Sequence, residues 1–298
     1  MSGPLVLDIS DLHVALGEAG AAPTPLLRGV GLTIAPGEVR GLVGESGAGK
    51  SMIARAIFGL LPRGARITRG AALFEGRDLT EMEDAERRKL LGSRIALIPQ
   101  DPMTSLNPVK RIGEQIATVL RLKAGMDRKA AAARAVELLA EVVIRDPKRV
   151  AALYPHELSG GMRQRILIAI AFSCTPRLVI ADEPTTALDV TVQRQILRLI
   201  HDLQHWHGAA VLFVTHNFGL VAKLCQSVTV LYAGRVVEAG DTTAVLANPQ
   251  HAYTRALLSA TPRLDRPAEA LSPLPASLTA TLLAEARAYD AANEAAYR

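Results

Sequence analysis

The stretch Gly44-Glu45-Ser46-Gly47-Ala48-Gly49-Lys50-Ser51 constrains this chain more than any other feature. It fits G-x-x-x-x-G-K-[ST], with the apolar run at residues 38–43 before it and the helix-like SMIARAIFGLL after it. Glycines let the backbone curl so that successive N–H groups face one phosphate chain, at a helix start that also favours anions. Lys50 supplies a mobile positive charge for the β- and γ-phosphates, and Ser51 a hydroxyl for Mg²⁺. A chance match is expected in roughly one chain in a hundred of this length. Its place between strand and helix makes an accidental glycine turn rarer still.

A second motif is Leu178-Val179-Ile180-Ala181-Asp182-Glu183. Four apolar residues read as a buried strand that delivers two carboxylates to its end, where ligands gather in parallel sheets. Asp182 suits Mg²⁺, held through its hydration shell, and Glu183 is placed to polarise an attacking water. The long interval between Lys50 and Asp182 exceeds a minimal nucleotide domain. It contains Leu158-Ser159-Gly160-Gly161-Met162-Arg163-Gln164 ahead of the helical RQRILIAIAF. Ser159 with two glycines makes a second phosphate-cradling helix start. One nucleotide in one chain has little use for two such starts, whereas a head-to-tail dimer does. Read alone, SGG is a flexible turn.

The rest of the chain alternates. Leu5–Ile9, Leu27–Ile34, Glu38–Val43, Ala71–Phe74 and Arg94–Ile98 read as strands, and Leu178–Ala181, Val211–Thr215 and Val228–Tyr232 follow later. From about Pro108 to Glu157 the texture is helical: Ile112, Ile116 and Val119 share one face, and Val136, Leu139, Ala140 and Val143 another. Strands alternating with helices such as VTVQRQILRLIHDLQHW imply a parallel sheet covered by helices. Beyond about Pro262 the chain is Ala- and Pro-rich, and Ala276–Arg298 reads as a peripheral or frayed helix.

Composition narrows the class. The longest apolar run, Ile166–Phe172, is far short of the roughly 18 residues of a membrane helix. Residues 1–10 lack the basic start and apolar core of a secretory signal. Two cysteines, Cys174 and Cys225, cannot build a disulfide framework, and both read as inert core thiols. The net charge of +5 favours anionic partners: nucleotide phosphate, nucleic acid or an anionic surface. His201 and His205, spaced i, i+4 beside His207, could clasp a metal but read better as a surface helix, with Trp206 half-buried.

Together, GESGAGKS, LSGGMRQ, ADEPTTALD and VTHN resemble the ATP-binding cassette (ABC) ATPases, the motors of ABC transporters, over residues 5–262. The resemblance implies an α/β fold: a P-loop NTPase core of ABC type with an antiparallel β layer and an inserted α-helical subdomain at about 101–165. It makes residues 1–262 the ATPase domain and 263–298 a tail. It also implies roles. Gln100 matches the glutamine that senses Mg²⁺ and water, and Ser159, Gly160 and Gly161 match the signature that contacts the opposite subunit's ATP. Asp189 matches a dimer-interface aspartate. His216 matches the histidine at the γ-phosphate. Leu16 stands where the family usually stacks an aromatic residue on adenine.

QDPMTSLNP (Gln100–Pro108), TTALDVTVQ and NPQHAYTRALL (Asn248–Leu258) resemble the oligopeptide/dipeptide/nickel importer branch, and GGMRQR with ADEPTTALD the first of its two ATPases. This implies ATP and Mg²⁺ as cofactors. The implied partners are two membrane permease subunits and a second homologous ATPase, distinct or identical; an extracytoplasmic solute-binding protein would be an indirect one. A peripheral place on the cytoplasmic face of the inner membrane and no nucleic-acid partner are expected. Several relatives carry a cysteine-rich iron–sulfur segment near the C-terminus; no cysteine follows Cys225, so no cluster is expected. An ABC ATPase acting on nucleic acid or translation is the alternative favoured by the basic charge. A small-molecule P-loop kinase has no role for LSGGM or the Asp182–Glu183 pair.

Overall fold

The computed structural model describes residues 4–17, 23–186, 188–260 and 276–297. The chain divides into two compact units, Met1–Met82 with Leu212–Arg298, and Glu83–Val211. The first begins with β1 (Leu7–Leu16), β2 (Thr24–Ile34), β3 (Val39–Val43), α1 (Lys50–Phe58), β4 (Ala65–Phe74) and β5 (Arg77–Asp78). The second holds α2 (Asp84–Leu90), β6 (Ile95–Ile98), α3 (Pro102–Ser105), α4 (Ile112–Ala124), α5 (Arg128–Glu141) and α6 (Pro147–Ala151). It continues through a 3₁₀ turn (Pro155–Glu157) to α7 (Gly160–Phe172), β7 (Leu178–Asp182) and α8 (Val190–His207). β8 (Ala210–Thr215) crosses the boundary. The chain then runs through α9 (Phe218–Leu224), β9 (Ser227–Tyr232), β10 (Arg235–Asp241), α10 (Thr242–Ala247), α11 (Ala252–Ala260) and α12 (Ala276–Ala292).

In the first unit an antiparallel sheet of order β2-β1-β4-β5 is set by Leu7 opposite both Ile34 and Phe74. Beside β3 run β9, parallel with Val43 opposite Val230, and β8; β10 closes the edge antiparallel to β9. β8 is buried along its whole length, as a strand covered on both faces must be. The sequence pattern missed β10, where RVVEAGD mixes acids and glycine with few apolar residues. It also fell short on β1, which bulges at Asp11 (φ 48°) and runs on to Leu16.

The C-terminal segment forms a helix that packs on the antiparallel sheet. Asp290 on α12 grips the Arg28 guanidinium of β2 through both carboxylate oxygens, at 2.7 and 2.9 Å. Tyr289 and the buried Tyr297 sit against the ring of His13, a β1 residue with no exposed surface. The boundary expected near residue 262 lies outside the described residues.

In the second unit β6 and β7 pair in parallel, Ile98 opposite Ala181. α7 is buried on nearly every side, matching its apolar composition. Three sequence expectations fail here. On α5 the buried face is Ala131, Ala135, Leu138 and Leu139, not the Val136–Val143 stripe. The helix stops at Glu141, and Val143, in the left-handed region at φ 58°, turns 68% exposed. Trp206 is 67% exposed rather than half-buried, because α8 turns Leu199, Ile200 and Leu203 inward instead. Cys225 is buried as expected, but Cys174 is partly exposed.

Candidate functional site

In the first unit the buried β3 delivers Gly44 to the start of a loop that ends at the first turn of α1. A Cβ on Gly44 would collide with the Leu231 carbonyl oxygen, so this position admits only glycine. Gly47 and Gly49 adopt φ of 82° and 101°, conformations that side chains disfavour, and thereby turn the loop back over the helix start. Lys50 is 5% exposed, and its Nζ donates to the Gly44 and Glu45 carbonyl oxygens at 2.8 and 2.9 Å. Ser46 is exposed and Ser51 half-buried. A buried ammonium, a glycine-shaped loop and the N-terminus of α1 suit the phosphate chain of a nucleotide.

His216 follows β8 and is exposed, while the preceding Thr215 is buried and accepts the Asn217 N–H. Leu16 is the last residue of β1, half-buried, paired with Thr24 and Ala65.

In the second unit the parallel register of β6 and β7 carries Gln100 and Glu183 to neighbouring strand ends. Gln100 Nε2 donates to Glu183 Oε2 at 3.3 Å, and Thr186 Oγ1 donates to the same oxygen at 2.9 Å. Two donors on one oxygen fix the carboxylate's orientation. Glu183 itself sits at φ 45°, a left-handed conformation costly for a side-chain-bearing residue and concentrated at functional sites. Asp182 is the half-buried last residue of β7. Neither Thr186 nor the backbone strain was singled out from sequence; both depend on the turn after β7, which strand patterning does not specify.

Ser159 is the N-cap of α7, its Oγ accepting the Met162 N–H at 3.3 Å. Gly160 and Gly161 form the first helical turn, where backbone N–H groups lack intrahelical acceptors. Asp189 caps α8, accepting from Thr191 N and Val192 N at 3.0 and 2.9 Å. His201 and His205 are exposed, whereas His207 stacks on Phe172. Among the described residues no three His, Cys, Asp or Glu side chains group as metal ligands.

A family model described as ABC transporter matches residues 27–186, and one described as oligopeptide/dipeptide transporter, C-terminal region, matches residues 237–285. The chain is 50% identical over 260 residues to the probable peptide ABC transporter ATP-binding protein y4tR of Sinorhizobium fredii, covering 87% of this chain and 77% of that one. It is 46% identical over 278 residues to the probable D,D-dipeptide transport ATP-binding protein DdpD of Escherichia coli, covering 92% and 83%. Among solved structures, the dimeric post-hydrolysis state of the ATP-binding cassette MJ0796, bound to ADP and Pi, superposes with a TM-score of 0.70 at 26% identity. That match covers 79% of this chain and 98% of the cassette.

Proposed function

The chain belongs to the ATP-binding subunits of ABC transporters, and on that premise we propose that it drives the import of di- or oligopeptides by hydrolysing ATP at the residues described above. The observation that carries the catalytic part is Glu183, held on a strained backbone with one carboxylate oxygen fixed by Gln100 and Thr186. A carboxylate so oriented suits the acceptance of a proton from, or the alignment of, the attacking water. Lys50 and the N–H groups of Gly47, Gly49 and Ser51 bind the phosphates, with Gly44 and Ser46 shaping the loop. Leu16 covers the adenine. His216 contacts the γ-phosphate.

The donor set fits Mg²⁺, which is held by one or two carboxylates together with substrate phosphates and water rather than by an all-protein cage. In the first unit Ser51, and in the second Asp182 and Gln100, carry the oxygen donors that such an ion would take. When bound it supplies charge neutralisation for the β- and γ-phosphates. Ser159, Gly160 and Gly161 serve the nucleotide of a second ATPase, with Asp189 at the interface. The dimeric cassette among the structural neighbours supports that arrangement.

Among the described residues no helix is long and apolar enough to cross a membrane. We place the chain peripherally on the cytoplasmic face of the membrane, a position drawn from its likeness to transport ATP-binding proteins. It acts there with two permease subunits and a second, distinct ATPase, and indirectly with an extracytoplasmic solute-binding protein. The peptide reading draws on the names of the relatives and the match at residues 237–285, which favour transport over action on nucleic acid.

Two measurements test this. Glu183→Gln should retain ATP binding and lose at least about a hundredfold in phosphate release; turnover within a fewfold of wild type removes Glu183 from the mechanism. Reconstituted in vesicles with its permeases and binding protein, the chain should couple ATP hydrolysis to uptake of a labelled dipeptide. Hydrolysis without uptake of any di- or oligopeptide would refute the peptide assignment while leaving the ATPase intact.

A further inference from the structure

In the phosphate loop the backbone N–H of Glu45 is held by a side chain from the C-terminal part of the chain. It donates to Tyr253 Oη at 3.0 Å. The Glu45 carbonyl accepts both the Ala48 N–H, at 3.1 Å, and Lys50 Nζ. Glu45 is thus where the turn of the loop, the ammonium of Lys50 and the Tyr253 hydroxyl meet. A second outside tether, from Gly234 N to the Ala48 carbonyl at 2.8 Å, holds the loop further along.

Tyr253 is rigidly placed. It lies on α11 with no exposed surface, its ring centroid 4.7 Å from that of Tyr232 at the end of β9. The segment that leads into α11 is fastened to β10: Gln250 N and His251 N donate to the two carboxylate oxygens of Glu238 at 2.7 and 3.1 Å. Tyr253 N donates to His251 Nδ1, and the Arg255 guanidinium closes the turn on the Pro249 and Gln250 carbonyls. Burial pushes the Tyr253 hydroxyl above the usual tyrosine range, so it stays a neutral hydroxyl at any working pH, whose oxygen accepts the Glu45 N–H.

We propose that Tyr253 is a positioning residue for the phosphate loop, making the segment after β10 part of the nucleotide site. By taking the Glu45 N–H it turns that donor away from the phosphates and fixes the loop's entry, so that the N–H groups from Gly47 onward are preorganised for ATP. The region matched to the oligopeptide/dipeptide transporter C-terminal model then has a defined task in this chain: it sets nucleotide affinity. The inference rests on the reading that Gly44–Ser51 binds the phosphates of ATP.

The test is Tyr253→Phe in the full chain, which keeps the ring and its packing on Tyr232 and removes only the hydroxyl. Loss of one neutral hydrogen bond corresponds to about a fivefold change. We expect ATP affinity by calorimetry to fall and KM to rise by about that factor, with the effect on KM and not on kcat, and the melting temperature without nucleotide lower by only about 2–4 °C. Wild-type affinity and KM in a folded Tyr253→Phe protein overturn the proposal. Lys50→Ala, measured alongside, separates the two levels. If Lys50→Ala loses ATP and Tyr253→Phe does not, only the role of Tyr253 falls; if neither changes ATP affinity, the phosphate-loop reading falls with it. Should Tyr253→Phe not fold, Glu238→Ala, which releases the segment's anchor without touching the buried ring, must itself raise KM, and an unchanged KM there is the refuting result.

Discussion

Replacing Gly160 with aspartate should strengthen the subunit and disable the assembled motor. Within the fold there is room: a Cβ on Gly160 finds a single neighbour within 4 Å, Leu188 Cδ2 at 3.8 Å. Gly161 is tighter, with Val192 Cγ1 at 2.8 Å, so Gly160 is the cleaner position. α7 has no acid in its first turn, and an aspartate there gains about 0.3–1 kcal/mol from the helix dipole. Removing a helical glycine adds roughly 0.5 kcal/mol. At about 2–4 °C per kcal/mol for a chain of this size, the lone subunit should melt a degree or more above wild type. If a second subunit's ATP meets this helix start, the new carboxylate would lie about 5 Å from phosphate charge. At an effective dielectric of about 20 that repulsion is about 3 kcal/mol, or a hundredfold or more. The assay is paired: calorimetric ATP binding and thermal melting on the lone subunit, then phosphate release from the subunit mixed with its partner ATPase. ATP binding should be unchanged and pair turnover nearly abolished. Wild-type turnover in the pair would reduce Ser159-Gly160-Gly161 to a helix start with no ligand, and lost ATP binding in the monomer would refute the two-subunit reading.

Two other outcomes follow from buried groups. His207 is held below the ordinary histidine value mainly by burial, with Glu141 raising it and Arg134 lowering it. The unfolded chain therefore takes the proton first as pH falls through about 6.5, and stability drops on the acid side. His207→Phe, which preserves the packing on Phe172, should shrink the difference in melting temperature between pH 7.5 and pH 5.5; an undiminished difference excludes His207 as a source. Burial pushes the Cys225 thiol up to about 12, so at pH 8 its thiolate is on the order of one part in ten thousand. A disulfide reagent at that pH should modify the native protein only at the partly exposed Cys174, and Cys225 only after denaturation. Rapid modification of both thiols in folded protein would contradict the burial.

The chemistry of the site was legible where it resides in contiguous residues. Gly44–Ser51 needs only local backbone curvature and a helix start, so eight residues carry the whole signal, and the four buried residues of β7 announce where Asp182 and Glu183 stand. Capping is equally local: Ser159 and Asp189 reach N–H groups two or three residues ahead. The helical periodicity of residues 108–157 was also visible. Its buried face on α5 was misread, because within the helix Val136 and Ala140 lie one position off the face of Ala135 and Leu139, and the left-handed Val143 lies beyond the helix end.

Sequence alone therefore determined which residue types stand in the glycine loop and at the end of β7, since glycine flexibility, a lysine charge and a carboxylate are intrinsic to their positions. Only the tertiary structure decided which distant groups hold them. Gln100 lies 83 residues from Glu183, and their contact exists because Ile98 faces Ala181 in a parallel register. Tyr253 reaches Glu45 across 208 residues through the buried stack with Tyr232, and Asp290 reaches Arg28 across 262 when α12 folds against β2. The reason is physical: a local motif is selected by the conformational preferences of adjacent residues. A long-range pair instead comes from strand register and core packing, to which the whole chain contributes and no short window of residues does.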